Sequence, residues 1–481
     1  MPLDTLNPLI LFPVLALAVL VYYLLPAGFR WGFLLFASYA FYFLIGSWSI
    51  VVLIFITLVN YLLGLLLSRE GNKHQRGLLF LGILANLALL FFFKYFTGIL
   101  AGSSILATFV ESAGGRIIAP VGLSFFTLQN ISYLVDVSKG LLPAERNFGI
   151  FALYTAFFPK IMAGPIERAR NLLPQLRALP AFDRQHGYTA VPLILTGLFK
   201  KVVIADRLAL YIDKLFNEGG QHAGAPVWTG LIFLSFQIYL DFSGYTDLAL
   251  GVANLFGIRL TPNFKRPYLA ENIVEFWNRW HLSFSTWLRD YVFFPLRRYF
   301  TRLTGRGSSF LALVIPPLIT MLASGVWHGT GWTYLLWGFY HAVFYIGVVA
   351  VRSLRGIAEK EAVWKHWVKM VLNFAVITFG WILFRSATLT DAWQMVTSLF
   401  KPSTSFFNII QADFSLDFLL ARVLIVLVVA VELLIEIRPE RFALHRLPWW
   451  GRWLVYLFLL LCISIIGVYP EGGNPFVYFK F

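Results

Sequence analysis

The stretch MLASGVWHGTGWTYLLWGFYH, Met321–His341, decides how this chain is read. It opens inside an apolar run, Phe310–Val326, that ends in Trp327 and His328. Gly329, Thr330 and Gly331 follow at what should be membrane depth, and an apolar segment resumes at Trp332. Irregular backbone in hydrocarbon is tolerated only where protein or a water-filled cavity receives its hydrogen bonds. An ionisable side chain at such a break marks a functional site by default. His328 is therefore the first candidate residue.

The rest of the composition agrees with a bilayer setting. Of 481 residues, 59% are hydrophobic and 13% charged, which no soluble domain of this size matches. The apolar runs are long and continuous, so the expected class is an all-α polytopic membrane protein and not a β-barrel. The net charge of +15 is concentrated in a few short loops. That is the cytoplasmic excess that sets topology. It would also attract an acidic donor such as a coenzyme A or acyl-carrier thioester. Cys462 is the one cysteine, so neither an internal disulfide nor a cysteine metal cluster is expected. The first apolar run follows MPLDTLNP, which lacks a basic leader, so it is expected to stay as a span.

Four spans come first, near Leu9–Leu25, Phe29–Ile45, Ile50–Leu67 and Leu78–Phe96. The loop holding Arg69, Lys73, His74 and Arg76 against Glu70 reads as cytoplasmic. That puts the uncharged loop Gly46–Ser49 and the N-terminus outside. Ile117–Val137 is interrupted by Pro120, Gly122, Gln129 and Asn130, and Phe151–Ala163 follows it. Only one net crossing fits between Phe96 and the basic loop at Arg168, Arg170, Arg177 and Arg184, so one of these stretches should be re-entrant or buried. Leu193–Leu215 carries Lys200, Lys201, Asp206 and Arg207, and Trp228–Gly251 carries Asp241 and Asp247. Charges at the centre of a lipid-facing helix cost about 2.5–3.5 kcal/mol each, so these snorkel or face protein. Five further spans read as Phe310–Trp327, Trp332–Val351, Val368–Phe384, Phe418–Ile437 and Trp453–Val468. Basic loops at Arg297–Arg306, Arg352–Lys369 and Arg438–Arg452 fall at alternate connections, and the tail Glu471–Phe481 lies outside. The sum is about twelve crossings in a single membrane domain, residues 1–481, with both termini outside.

Glu271–Phe300, ENIVEFWNRWHLSFSTWLRDYVFFPLRRYF, is too charged to span. Phe276, Trp280, Phe284, Trp287, Tyr291 and Phe294 recur at three- and four-residue steps, which predicts one apolar helix face. Asn278, His281, Ser285 and Arg289 predict a polar stripe on another side. Such a helix lies at the interface with its stripe in water, or turns the stripe into a polar cavity. Of the eight histidines, His281, His328 and His341 alone have strongly apolar or aromatic surroundings. A neutral imidazole about 3 Å from a hydroxyl can take its proton as the hydroxyl attacks a thioester. His341, inside a smooth apolar run, reads instead as a structural histidine.

Other chemistries fit poorly. His328 and His341 lack a local metal-ligand spacing, so no metal is expected. There is neither a Gly-x-Ser-x-Gly elbow nor a phosphate-cradling GxxxxGK, and the basic loops do not read as a nucleic-acid patch.

WNRWHLSFSTWLRDYVFFPL, followed by SGVWHGTGWTYLLWGFYHA, resembles the membrane-bound O-acyltransferase family, and within it the bacterial branch of alginate O-acetyltransferase membrane subunits. APVGLSFFTLQNISYLVDV, FFPKIMAGPIERARNLLPQL and DFSGYTDLALGVANLFGIRLTPNFKRPY match the same branch. The family core would span residues 117–345, with peripheral spans in 8–100 and 364–470. The resemblance implies a ring of helices around a thin centre with a tunnel between the two faces. It implies that His328 is required for activity and that His281 is a second important polar residue. Asn278, Trp327 and Ser285 would line the substrate path, with Asp241 and Tyr245 in the tunnel wall. The implied reaction is acetyl transfer across a bacterial inner membrane. Acetyl-CoA would be the cytoplasmic donor substrate, with no permanently bound cofactor. An exported polysaccharide such as alginate would be the acceptor, reached through a periplasmic partner of the SGNH type. The chain departs from the alginate pattern at Pro295–Phe300, where members usually carry Gly-Gly-Asn. Three alternatives to this reading stay open. One is D-alanyl transfer from a carrier protein to teichoic acid. Another is a transporter of a glycan or lipid-linked substrate, since broken helices with midplane polar residues suit carriers too. A scaffold that only recruits a periplasmic acetylase is a third.

Overall fold

A computed structural model describes residues 8–46, 48–69, 71, 73–96, 119–217, 222–355, 362–403, 415–440 and 444–469, and all regular structure in them is helical. The expected outward termini (residues 1–7 and 470–481) lie outside the described residues, as do Ser47, Glu70, Ile117, Ile118 and residues 356–361 and 441–443 of the expected loops and spans. Among the described residues ten helices are long and apolar enough to cross a membrane, and an eleventh apolar stretch, Leu11–Leu24, is shorter. The chain divides into two compact units, Met1–Ile194 with Leu248–Thr261, and Leu195–Asp247 with Pro262–Phe481.

The first unit begins with α1 (Pro8–Leu24), α2 (Ala27–Ile45), α3 (Ser49–Leu67) and α4 (Gln75–Phe91), close to the four expected spans. Leu17, Phe36, Val51 and Phe80 are exposed, as lipid-facing side chains should be. Asn60 of α3 and Asn86 of α4 exchange amide hydrogen bonds of 3.2 and 2.8 Å inside the pair. Such polar contacts hold helices together where lipid removes the hydrophobic drive. The twelfth expected crossing falls on two short helices, α5 (Leu123–Ser138) and α6 (Phe148–Ala156). At 1.5 Å per residue they reach only about 24 and 14 Å, short of a core of about 30 Å. Both are buried almost all round. The interruptions that weakened the pattern there mark helices walled by protein. Then come α7 (Ala169–Arg177) and most of α8 (Arg184–Leu198).

In the second unit α8 runs through a π-helical stretch, Phe199–Ala205, into α9 (Asp206–Asn217). The long α10 (Ala225–Leu255) follows. A side chain at Gly244 would come within 2.8 Å of the Gly197 carbonyl, so α10 presses directly on this stretch. There Lys201 Nζ meets Asp206 at 2.9 Å and Asp241 at 2.8 Å, with Lys200 and Asp247 paired at 2.6 Å. The midplane charges of the two spans therefore face protein and one another.

The expected single helix over Glu271–Phe300 is not what forms. Instead α11 (Ile273–Trp277) ends, residues 278–281 turn, and α12 (Leu282–Leu288) starts. A π-helical stretch, Arg289–Phe293, then leads into α13 (Phe294–Thr304). The cause is Asn263. Its backbone carbonyl accepts from Leu282 N at 2.9 Å and its Oδ1 from Ser283 N at 3.1 Å. Those amides would otherwise continue α11, so the chain turns instead, and His281 takes a left-handed conformation with φ +44°. That conformation is uncommon for a non-glycine residue and is held here by the packing around it.

The break at His328 does appear. Helix α14 (Phe310–His328) stops at Gly329, and α15 (Trp332–Arg355) turns back against it. A Cβ at Gly325 would sit 2.3 Å from the Tyr334 carbonyl, and one at Gly338 would sit 2.4 Å from that of Met321. The two backbones touch at these glycines. Gly338→Ala should cost about 1–3 kcal/mol by overpacking, read as a lower melting temperature in detergent. The unit is completed by α16 (Val363–Arg385), α17 (Leu389–Ser398), α18 (Ser415–Ile437) and α19 (Trp449–Ile466).

Candidate active site

His328 closes α14 and is 4% exposed. Four aromatic rings surround its imidazole at steep angles: Trp327 at 4.8 Å, Phe384 at 5.2 Å, Trp337 at 5.3 Å and Phe284 at 5.5 Å. The ring is enclosed by protein and not by lipid-facing side chains.

His281 belongs to the same cluster. It stacks on Phe284 at 5.0 Å, meets Phe242 edge-on at 4.7 Å, and lies 6.1 Å from Trp327. Phe284 and Trp327 are themselves stacked at 4.3 Å. These two rings therefore stand between the two imidazoles. Burial pushes His281 down to about 3, so it is neutral at any physiological pH.

The polar stripe divides at the turn. Asn278, Ser285 and Arg289 line a cavity of about 330 Å³ together with Arg297, Thr320, Met321 and Tyr345. His281 does not line it, because its left-handed backbone turns the ring toward Phe242 and Phe284. The departing segment Pro295–Phe300 is helical, inside α13, and places Arg297 on the cavity.

The cavity reaches α14 at Thr320 and Met321 and stops there. Thr320, Ser324 and His328 repeat every four residues and so share a helix face. That face leads from the cavity wall to the enclosed imidazole.

Asp241 and Tyr245 are buried in α10, where Asp241 pairs with Lys201 at 2.8 Å. Sequence reading passed over Trp337 and Thr333 and read His341 as structural. Trp337 lies between His328 and His341, 4.7 Å from the latter. His341 is fully buried, 5.3 Å from Trp277, and neither ring nitrogen has a hydrogen-bond partner. Thr333, Trp337 and His341 repeat at four-residue steps along α15, a signal that was present in the sequence.

Comparison with known proteins follows the same residues. The profile of the membrane-bound O-acyltransferase family matches residues 34–389. A probable alginate O-acetylase of Azotobacter vinelandii is 37% identical over 81% of this chain and 77% of its own length. The peptidoglycan O-acetyltransferase of Helicobacter pylori is 28% identical over 99% of this chain and 97% of its own. The teichoic acid D-alanyltransferase of Streptococcus thermophilus is 27% identical over 57% and 69% respectively.

Proposed function

The chain belongs to the membrane-bound O-acyltransferase family, and on that premise we propose that it passes acetyl groups from cytoplasmic acetyl-CoA to a glycan outside the bacterial inner membrane. That it is a multi-pass membrane acyltransferase follows from the family and the helices. The donor, its side, the acceptor and the outward termini are our reading.

One observation carries the donor: Arg289 and Arg297 on a cavity of about 330 Å³ whose wall shares a helix face with His328. Guanidinium groups suit phosphate oxygens because their donors form a rigid planar fork. Coenzyme A would lay its phosphates on these two arginines, and Asn278 and Ser285 would hold the amides of its pantetheine arm. The thioester then lies toward His328, the general base. Asp241 is a structural partner of Lys201 in this reading. The acceptor is an exported polysaccharide, alginate or peptidoglycan, reached through a periplasmic SGNH-type enzyme. Peptidoglycan stays in view because that relative aligns over nearly the whole chain.

Purified protein in lipid nanodiscs should release thiol from acetyl-CoA. Arg289→Ala with Arg297→Ala should raise the KM for acetyl-CoA about tenfold or more, the equivalent of one lost charged hydrogen bond of about 1.5–3 kcal/mol, and leave kcat nearly unchanged. An unaltered KM would remove the donor from this cavity. Glycan flux without thiol release would replace the enzyme by a carrier.

A further inference from the structure

Buried polar atoms without a partner are rare, because each forfeits its hydrogen bond with water. Among the described residues of this unit, Trp277, Ser324, Trp337 and His341 hold such atoms and lie in the imidazole cluster or one helical turn from it. Ser324 differs from its neighbours. The buried helix hydroxyls of Ser38, Thr57 and Ser235 donate back to the carbonyl four residues earlier at 2.6–3.0 Å. Thr320, one turn before Ser324, does the same to Pro316 at 2.6 Å. Ser324 is fully buried, and its Oγ has no partner. It stands one turn from His328 on the face that begins at the cavity. Trp337 is 1% exposed, its ring is 5.3 Å from His328, and its Nε1 has no partner. An indole N–H is a donor only, so this site is built for an acceptor atom.

The two donors are also held still. Ser324 precedes Gly325 and Trp337 precedes Gly338, the two glycines at which α14 and α15 touch. Donors fixed before reaction and aimed where charge develops are the strongest electrostatic aid to acyl transfer.

We propose that Ser324 Oγ and Trp337 Nε1 form the oxyanion-binding pair of the acyl transfer, an inference that rests on the thioester reading above. The acceptor hydroxyl oxygen bonds to the thioester carbonyl carbon, and its proton passes to a ring nitrogen of His328. The carbonyl π pair moves onto oxygen, which accepts from Ser324 and Trp337. As the C=O bond reforms, the C–S bond breaks and the sulfur takes the proton back from His328, leaving as thiol. No other reactant is needed.

The test measures thiol release from acetyl-CoA by nanodisc-embedded wild type, Ser324→Ala, Ser324→Thr and Trp337→Phe, together with melting temperature. Ser324→Ala and Trp337→Phe should each lower kcat by about 10²–10³-fold with KM within about twofold, and Ser324→Thr should recover most of the rate. Ser324→Ala should melt at an equal or higher temperature, because it removes an unsatisfied buried polar atom, whereas Trp337→Phe also leaves a cavity and should melt somewhat lower. Wild-type kcat in both single variants overturns the pair. A raised KM with unchanged kcat also overturns it, since that marks binding equal in ground and transition states. Wild type that releases no thiol ends the donor reading and this inference together, whereas active wild type with active variants ends only this one.

Discussion

His328→Ala is expected to cut acyl transfer by about 10²–10⁴-fold, the usual contribution of a positioned general base, at unchanged membrane abundance. The ring is walled by four aromatic side chains and sits where α14 breaks. No replacement side chain combines that setting with a proton-accepting nitrogen. Acetyl ester on exported polymer, or thiol release in vitro, measures the loss. His281→Ala should do less, since His281 communicates with His328 through Phe284 and Trp327 and does not line the cavity. If the alanine variant at 328 keeps its rate within about tenfold, the base is another group. If the order of the two histidines is reversed, the proton acceptor is His281.

The residues that could be found from sequence were those whose signal is local. The span expected at Phe310–Trp327 is found at Phe310–His328, because apolar length and a following Gly-Thr-Gly are enough to end a helix. His328 was conspicuous for the same reason. The turn at His281 was not, because the acceptors that stop α11 come from Asn263, on a different segment of the chain. Periodicity over Glu271–Phe300 sees only its own residues and continues the helix. The stripe consequently held one member too many: Asn278, Ser285 and Arg289 share a cavity, and His281 does not. Asp241 could be placed at membrane depth from sequence, but its partner Lys201 comes from another helix. Ser324 and Trp337 were legible in two four-residue ladders, Thr320–Ser324–His328 and Thr333–Trp337–His341, and went unread because a serine and a tryptophan in an apolar run look ordinary until their partners are counted.

Lys201→Met is expected to cost about 3–5 kcal/mol of stability, the cost of leaving buried charge uncompensated. Lys201 is 2% exposed and ion-paired to both Asp206 and Asp241. Methionine has nearly the same length and fits the same space, so packing changes little and the loss is electrostatic. It falls where the π-helical stretch Phe199–Ala205 meets α10 at Gly244, a contact with no room for relaxation. The expected result is a chain that accumulates poorly in membranes and melts early in detergent. Adding Asp241→Asn to Lys201→Met should restore part of the loss, because it removes one of the two stranded carboxylates. Asp241→Asn alone should cost less, since Lys201 keeps Asp206. A double variant no more stable than Lys201→Met would mean that the lysine acts through its aliphatic packing, and that the buried charges of these two helices are not coupled. Surviving Lys201→Met protein should keep the KM for acetyl-CoA, because the cavity of Arg289 and Arg297 is lined by other helices. That separation of stability from donor binding distinguishes a structural charge cluster from a wall of the substrate path.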